Sequence, residues 1–165
     1  MSRDYPDWVH PDKAASAGRC FKGELPVASM ERLSGLIVED AGGEVAFKLD
    51  FSLTAQRQIR VDVAIHGWLP LQCQRSLKTY RHEFESSAVV GVIADEAEIP
   101  SLPGEFEPLA CPEQRLKLAD LVEEELLLCL PLVPVSPDTE RVGEDLPSTA
   151  ETHRPFEVLA SLKKR

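Results

Sequence analysis

The residues with the clearest potential for chemistry lie in the stretch LQCQRS, residues 71–76. Cys73 stands three positions before Ser76, where a Cys-x-x-Cys pair would carry its second sulfur. Such a pair is typical of a zinc knuckle or a redox-active dithiol, because both need two sulfur atoms close together. A single thiol leaves three interpretations: a degraded metal knuckle, a reactive cysteine, or a small buried residue where one strand ends and the next begins.

The position of Cys73 in the pattern favours the buried residue. Cys73 has the same parity as Leu69 and Leu71, which predicts that its side chain faces the core, where most free cysteines lie. A reactive thiol needs a positive neighbourhood that lowers its pKa, and Arg75 alone gives this interpretation weak support. The remaining cysteines, at positions 20, 111 and 129, have no paired spacing. We therefore expect no disulfide framework and a cytoplasmic protein.

Other catalytic arrangements have little support in the sequence. The four histidines, at positions 10, 66, 82 and 153, belong to no motif, although His66 and His82 would be cross-strand neighbours if a hairpin paired symmetrically about residues 74 and 75. The successive glutamates at 123–125 point in different directions on a helix, so they do not form a metal cage. A hydrolase or nuclease needs convergent groups of this kind. We predict no enzymatic activity, no cofactor and no metal.

The charge of the chain is unevenly distributed. The net charge is -10, yet residues 55–82 carry five basic side chains against one acidic. Residues 83–152 carry three basic against 17 acidic, and the last 13 residues carry four basic against one acidic. Only the segment 55–82 and the C-terminal end could approach a phosphate backbone, because the acidic segment would be repelled.

Three consecutive segments have the pattern of β-strands. EVAFKLDFSL (44–53) and QIRVDVAIHGW (58–68) alternate apolar and polar residues, which is typical of strands buried on one face. LKTYRHEFESSAVVGVIA (77–94) follows and is rich in residues that favour strands. Short connections between consecutive strands indicate an antiparallel meander. LQCQRS therefore lies at the turn between the second and third of these strands.

Helical patterns flank these strands. The stripe of apolar residues from Leu118 predicts a core helix near 118–130, whose last turn, residues 126–130, is apolar all round and must be covered by the sheet. If the sheet does not cover it, the apolar segment 126–133 offers an interface. VASMERLSGL (27–36) predicts a short N-terminal helix, and PFEVLASLKKR (155–165) predicts a short C-terminal one that begins near Pro155. The acidic stretch from Ala94 predicts a loop followed by at most one short strand.

These elements predict one α+β domain over residues 1–165. Its antiparallel β-meander sheet, open or partly closed, is packed by the core helix. The polar segments near 1–17 and 136–153 are expected to be flexible. No apolar run reaches the roughly 18 residues that a membrane span needs, so no membrane partner is expected.

Two further stretches carry a resemblance. LVEEELLLCLPLVPV (121–135) and RPFEVLASLK (154–163) resemble segments of the YceD family, the large ribosomal RNA subunit accumulation proteins. LQCQRS falls where that family usually reads Leu-x-Cys-x-Arg-Cys. The order and spacing agree from about Gly18 to the end. The resemblance implies a single YceD-like domain in a cytosolic bacterial protein that supports synthesis, processing or stability of 23S ribosomal RNA.

The sequence departs from the family at the positions that could form a zinc site in relatives. Ser76 replaces the second cysteine of the knuckle, and Ser136 and Arg141 stand where many relatives have His and Cys. Only Cys73 remains of these four ligands, and one thiolate cannot hold a structural metal. The resemblance therefore implies that Cys73 and Ser76 are a degraded knuckle without zinc.

Two binding functions follow as hypotheses. The first is a non-catalytic ribosome biogenesis factor that contacts 23S ribosomal RNA or a large-subunit precursor, directly or through a basic protein, with no DNA partner. Its candidate contact residues are basic or aromatic: Arg57, Arg60, Trp68, Arg75, Lys78, Tyr80, Arg81, Lys163, Lys164 and Arg165. The second is an acidic adaptor whose segment 95–152 binds a basic ribosomal protein or an RNA-processing enzyme. An ordinary solvated sheet face and a merely solubilising acidic surface are the respective alternatives.

The degraded knuckle leads to a prediction about metal. Purified protein should contain well under one zinc ion per chain by elemental analysis, and a chelator should leave its melting temperature unchanged. Stoichiometric zinc that survives dialysis would contradict this, and would mean that Cys111 or a histidine supplies the missing ligands.

Overall fold

The computed structural model describes residues 5–138, which form seven strands and two α-helices. In chain order these are β1 (Trp8–Val9), α1 (Pro11–Ser16), β2 (Cys20–Leu25), β3 (Glu44–Leu53), β4 (Ile59–Gln72), β5 (Thr79–Ile93), β6 (Glu107–Ala110), β7 (Leu116–Lys117) and α2 (Leu118–Cys129). The fold is α+β, as the sequence predicts.

The main sheet has five strands in the order β2-β3-β4-β5-β6. β3, β4 and β5 form the predicted antiparallel meander. β2, which the sequence analysis did not indicate, extends it antiparallel to β3, whereas β6 pairs parallel with β5. The strands β1 and β7 pair separately as a short antiparallel ribbon. The main sheet ends in two edge strands, so the expectation of partial closure is wrong.

One face of the sheet, here called the inner face, carries the core. The alternating residues Val45, Phe47, Leu49 and Phe51 of β3 are buried, and β4 continues the same face from Val61. The polar residues of this alternation, among them Arg60, Asp62 and His66, point to the opposite, outer face. Alternation determines the face of each residue because successive side chains of a strand point in opposite directions.

The helix α2 covers the inner face beside β4 and β5. It lies within the predicted range 118–130, and its residues Leu118, Val122 and Leu126 are fully buried. The expectation that its last turn is covered on all sides is wrong, because Leu128 is 67% exposed. A helix resting on a sheet turns only one side toward it, so a wholly apolar turn leaves part of its surface uncovered.

The predicted helix over residues 27–36 is also wrong. Two single 3₁₀ turns, Val27–Ser29 and Glu31–Leu33, replace it and are separated by Met30 in an extended conformation. Val27, Met30 and Leu33 are all buried. Their spacing of three residues suits 3₁₀ turns, in which positions i and i+3 eclipse, as well as it suits an α-helix.

The short N-terminal α-helix lies earlier, at Pro11–Ser16. Residues 5–17 thus contribute secondary structure and core contacts that their polar composition did not indicate; their flexibility stays a prediction. The ring of Tyr5 packs edge-on against Phe47 with centroids 4.9 Å apart, and its hydroxyl donates to the carbonyl of Glu24 over 2.9 Å. A Cβ on Gly23 would lie 2.4 Å from the Tyr5 ring, so only glycine leaves room for this contact.

The acidic stretch after β5 contains a 3₁₀ helix, Glu96–Ser101, which Asp95 caps by accepting from the Ala97 amide over 2.8 Å. Two short strands, β6 and β7, follow it, one more than the sequence indicated. The predicted C-terminal helix at 155–165 and most of the expected flexible segment near 136–153 lie outside the described residues.

The burial of α2 gives a prediction for stability. Leu126→Asp should prevent soluble folding or lower the free energy of unfolding by several kcal/mol, because it places an unpaired charge in the core. Ile99→Asp is the matched control, since Ile99 is a large apolar residue that is 42% exposed. Its effect should stay within about 0.5 kcal/mol in chemical denaturation. A folded Leu126→Asp variant as stable as the control would contradict the core position of α2.

Candidate nucleic-acid interface

The long hairpin of β4 and β5 brings two candidate contact residues together on the outer face. Pro70 pairs with Arg81 and Trp68 with Glu83, so Trp68 and Arg81 lie diagonally across the two strands. The guanidinium carbon of Arg81 is 4.4 Å from the centroid of the Trp68 ring. A stacked cation and aromatic ring offer flat surfaces on which a nucleobase can stack and a charge for its phosphate.

The backbone beside Trp68 holds this ring in place. Gly67 has φ +155°, and a Cβ at this position would lie 1.9 Å from the carbonyl oxygen of Glu44 on β3. Gly42 has φ +82°, and a Cβ there would contact the Trp68 ring at 3.5 Å. Glycine at position 67 therefore lets the end of β3 approach β4 closely, and Trp68 lies half-buried beside this end.

Neighbouring carboxylates balance the cations of the outer face. Arg60 binds Asp62 over 2.5 Å, and the Arg81 Nε lies 3.3 Å from the Glu83 carboxylate. Lys48 on β3 donates to Asp50 over 2.6 Å. Each pair consists of residues two positions apart on one strand, a spacing that places both on the same face and could have been found in the sequence.

Two of these pairs shift a pKa. The hydrogen bond from Lys48, followed by one from Cys20, lowers the pKa of the Asp50 carboxyl, and the hydrogen bond to Asp62 raises the pKa of Arg60. Both shifts favour the charged form of the group concerned. The outer face presents alternating signs rather than a continuous positive surface.

The candidates Arg75 and Lys78 lie in the turn that joins β4 to β5, at one end of the hairpin. The turn closes on Cys73, whose amide donates to the Lys78 carbonyl over 2.9 Å and whose carbonyl accepts from Leu77 over 2.8 Å. Cys73 is fully buried, as its parity predicts. The Ser76 amide points to the Cys73 sulfur at 3.4 Å. This turn places two cationic side chains in solvent above a buried thiol.

The same turn meets the chain segment that follows α2. The Gln74 amide donates to the Pro134 carbonyl over 2.8 Å, and Ser136, two residues further along, is buried. Three of the four positions that could form a zinc site in relatives, Cys73, Ser76 and Ser136, thus belong to two segments that touch. The fourth, Arg141, lies outside the described residues. One thiol and two hydroxyls do not suit tetrahedral zinc. Among residues 5–138, no three His, Cys, Asp or Glu side chains gather in a way that could hold a metal ion.

The remaining candidates lie apart from this end of the hairpin. Arg57, with φ +63°, lies in the turn between β3 and β4, at the opposite end of the hairpin. Arg60 is close to that end, where its guanidinium lies 5.8 Å from the centroid of the Phe106 ring. Tyr80 faces inward and packs against the core, and this burial raises the pKa of its hydroxyl. Lys163, Lys164 and Arg165 lie outside the described residues.

The histidines of the hairpin do not form the pair that a symmetric turn would give. His66 pairs with Glu85, and His82 pairs with Leu69. The pairing is centred between residues 75 and 76, because Gln72 pairs with Thr79. This shift places His66 on the outer face and His82 on the inner face. The expectation that they are cross-strand neighbours in a symmetric hairpin is therefore wrong.

Three of the thiols have a raised pKa, which opposes nucleophilic activity. The hydrogen bond between Cys20 and Asp50 raises the pKa of the Cys20 thiol. Burial raises the pKa of Cys111 and of Cys129. A thiol with a raised pKa carries little of the reactive thiolate at neutral pH.

The glutamates of α2 make structural contacts. Glu123 accepts from the Arg32 amide over 2.8 Å, and Glu125 accepts from the Ser86 hydroxyl over 2.5 Å. Glu124 is exposed and pairs with the Arg32 guanidinium. Glu123 and Glu124 thus contact the same residue, and only Glu125 points elsewhere, so the expectation that all three point in different directions holds for Glu125 alone. The contacts attach α2 to the sheet and to the 3₁₀ turn at Glu31–Leu33.

A second surface is acidic. From Glu83 to Gln114 the chain contains eight acidic residues and no Lys or Arg. Glu96, Glu98, Glu105 and Glu107 are all exposed around the 3₁₀ helix and β6. A run of carboxylates without cations creates a negative potential that attracts a basic partner and repels phosphate.

Comparisons with known proteins agree with each other. The family model described as "Large ribosomal RNA subunit accumulation protein YceD" matches residues 61–163. The protein of Haemophilus influenzae with the same description is 28% identical over 169 residues, which cover 97% of this chain and 97% of the relative. No solved structure matches the chain at a significant level. Within the described residues, no helix is both long and apolar enough to cross a membrane. On the strength of the family model, which spans more than half of its residues, the chain belongs to the YceD family.

Proposed function

We propose that the chain is a non-catalytic ribosome biogenesis factor that supports the synthesis, processing or stability of 23S ribosomal RNA in the cytoplasm. Membership of the YceD family carries this proposal, since the family and the Haemophilus influenzae relative are both described by the accumulation of large-subunit ribosomal RNA. The raised thiol pKa values and the structural contacts of the α2 glutamates support a binding role rather than a catalytic one.

The RNA contact is proposed to lie at the turn end of the β4–β5 hairpin. Trp68 and Arg81 supply a stacking surface there, and Arg75 and Lys78 supply charge at the adjacent turn. Arg57 and Arg60 are left out of this contact because they lie toward the other end of the hairpin. A half-buried aromatic ring beside cations suits single-stranded or looped RNA, whose bases are free to stack on its accessible part.

The first test removes the stacking surface. Trp68→Ala with Arg81→Glu should weaken the binding of a 23S ribosomal RNA fragment about fivefold to a hundredfold, as expected for the loss of one stacked base. Lys48→Glu is the matched control, because it reverses a charge that is also paired with a carboxylate on the same face. Binding is measured by fluorescence anisotropy at low salt, and circular dichroism checks that both variants fold.

Salt dependence gives an independent measure of the contact. Two to four phosphate contacts give a slope of log affinity against log salt of about -1.4 to -2.8 on single strands. Reversal of Arg75, Lys78 and Arg81 to Glu should flatten this slope toward zero. If the double and triple variants bind RNA as the parent does, the hairpin does not contact RNA.

The acidic surface favours a second candidate function, an adaptor that binds a basic ribosomal protein or an RNA-processing enzyme. The eight acidic residues without a cation between Glu83 and Gln114 support it, as do the neutralised cations of the outer face. On this proposal the chain acts on ribosomal RNA through the partner. Electrostatic attraction of this kind increases the association rate and depends on salt.

A charge-matched pair of variants separates the two candidates. Glu96, Glu98 and Glu107 changed to Gln should abolish co-purification of a basic ribosomal protein after RNase treatment, if the chain is an adaptor. The control changes the exposed Glu24 and Glu31 to Gln and Asp40 to Asn, which alters net charge equally away from the acidic surface. A parent protein that binds RNA at low salt and yields no basic partner after RNase treatment would exclude the adaptor.

A further inference from the structure

An apolar groove lies where the β4–β5 turn, the end of α2 and the segment after α2 meet. Its lining is almost wholly apolar and consists of Gly35, Leu36, Leu71, Gln74, Leu127, Leu130, Pro131, Leu132 and Pro134. The hydrogen bond from Gln74 to Pro134 joins two of its walls. The groove is separate from the Trp68–Arg81 stack and from the acidic surface.

Exposed apolar side chains are concentrated in the chain segments that form this groove, and two of them, Leu36 and Leu132, line it. Eight large hydrophobic residues are exposed within residues 5–138, and six of them line the groove or lie within three positions of a residue that does. These six are Leu36, Leu77, Leu128, Leu132, Val133 and Val135. Leu132 is 103% exposed, so no described residue shields it. A concentration of this kind marks a surface that another element covers.

The chain itself contains a segment that fits. PFEVLASLKKR (155–165) repeats apolar residues at Phe156, Leu159 and Leu162, with Val158 four positions before Leu162, so a helix over this segment has one apolar face. We propose that this C-terminal segment docks as an amphipathic helix in the apolar groove of its own chain.

The connection between the two is long enough. The described residues end at Asp138, four positions after the groove residue Pro134, and 17 residues separate Asp138 from Phe156. A flexible connection of that length has a root-mean-square span of about 23 Å. Because the connection starts beside the groove, the effective concentration of the segment is in the millimolar range, which favours its own chain over a second copy.

Charge complementarity supports the same occupant. The segment ends in Lys163, Lys164 and Arg165, whereas residues 1–152 carry a net charge of -13, since the last 13 residues contribute +3 to the total of -10. The groove also lies at the C-terminal end of α2, whose last carbonyls form the negative end of the helix dipole. A basic helix is attracted both by the negative net charge of residues 1–152 and by the negative end of the α2 dipole. An acidic partner would be repelled by both.

Hydrogen exchange on the full-length protein tests the docking. In the parent, amides of residues 156–163 should exchange at least about tenfold more slowly than in an unstructured chain, since docking protects them. Leu132→Asp in the groove and Phe156→Asp in the segment should each remove that protection. The double variant should show no larger effect than either single variant, because both changes break one contact. Ile99→Asp, far from the groove in sequence and 42% exposed, should leave the protection unchanged.

Each other outcome overturns the proposal. Amides of 156–163 that exchange at coil rates in the parent would show that the segment does not dock. Unequal responses, with protection lost in Phe156→Asp and retained in Leu132→Asp, would place the segment on a different surface. Protection that depends on protein concentration, together with a doubled mass in analytical ultracentrifugation, would show that a second copy supplies the segment.

Discussion

The rest of the structure depends on the burial of one face of the main sheet. An antiparallel sheet of this length has a row of apolar side chains on one side, and they must be removed from water together. The helices α1 and α2 and the 3₁₀ turns at Val27–Ser29 and Glu31–Leu33 all lie against this inner face. Because both α-helices lie on this face, most of the outer face has no helix over it. Near Gly91 the outer face is covered by Leu102 and Phe106 instead.

This asymmetry explains the character of the candidate interface. The uncovered part of the outer face is in contact with water, and the carboxylate beside each of its paired cations keeps that surface polar without a large excess of one charge. Net positive charge is therefore low on the strands. The sequence between Asp62 and Glu83, which includes the β4–β5 turn, contains three basic residues and no acidic one. A contact with RNA through this protein would be small and dominated by stacking on Trp68, with phosphate attraction limited to the turn.

Much of the fold could be predicted from the sequence because strict alternation has one structural solution. The strands β3 and β4 and the face of each residue follow directly from it, as does the buried position of Cys73. The core helix followed from a stripe of apolar residues between clear boundaries. Where two structures share one period, the prediction failed: the three-residue spacing at 27–33 suits a 3₁₀ turn and an α-helix equally.

Features that depend on distant contacts could not be predicted. Strand β2 is held by pairing with β3, and its Gly23 is required by Tyr5, which is 18 positions away in the sequence. The register of the β4–β5 hairpin depends on the left-handed conformation of Leu77, at φ +57°, a conformation that the residue type does not suggest. The candidate site was predicted by residue type alone. Only the register of the hairpin shows that Trp68 and Arg81 lie together. It also shows that the turn and Arg57 lie at opposite ends of the hairpin.

The contact between the β4–β5 turn and the segment after α2 links two distant segments within the YceD family match. In this chain a backbone hydrogen bond from Gln74 to Pro134 joins the segments, with Cys73 buried beneath the turn. A metal at such a place would fix the turn independently of the surrounding packing, whereas a single hydrogen bond of about 1 kcal/mol cannot. A protein without the metal needs other contacts to hold Arg75 and Lys78 in position. The apolar groove lies directly against this junction, so an element docked there would stabilise the turn that carries the proposed RNA contact.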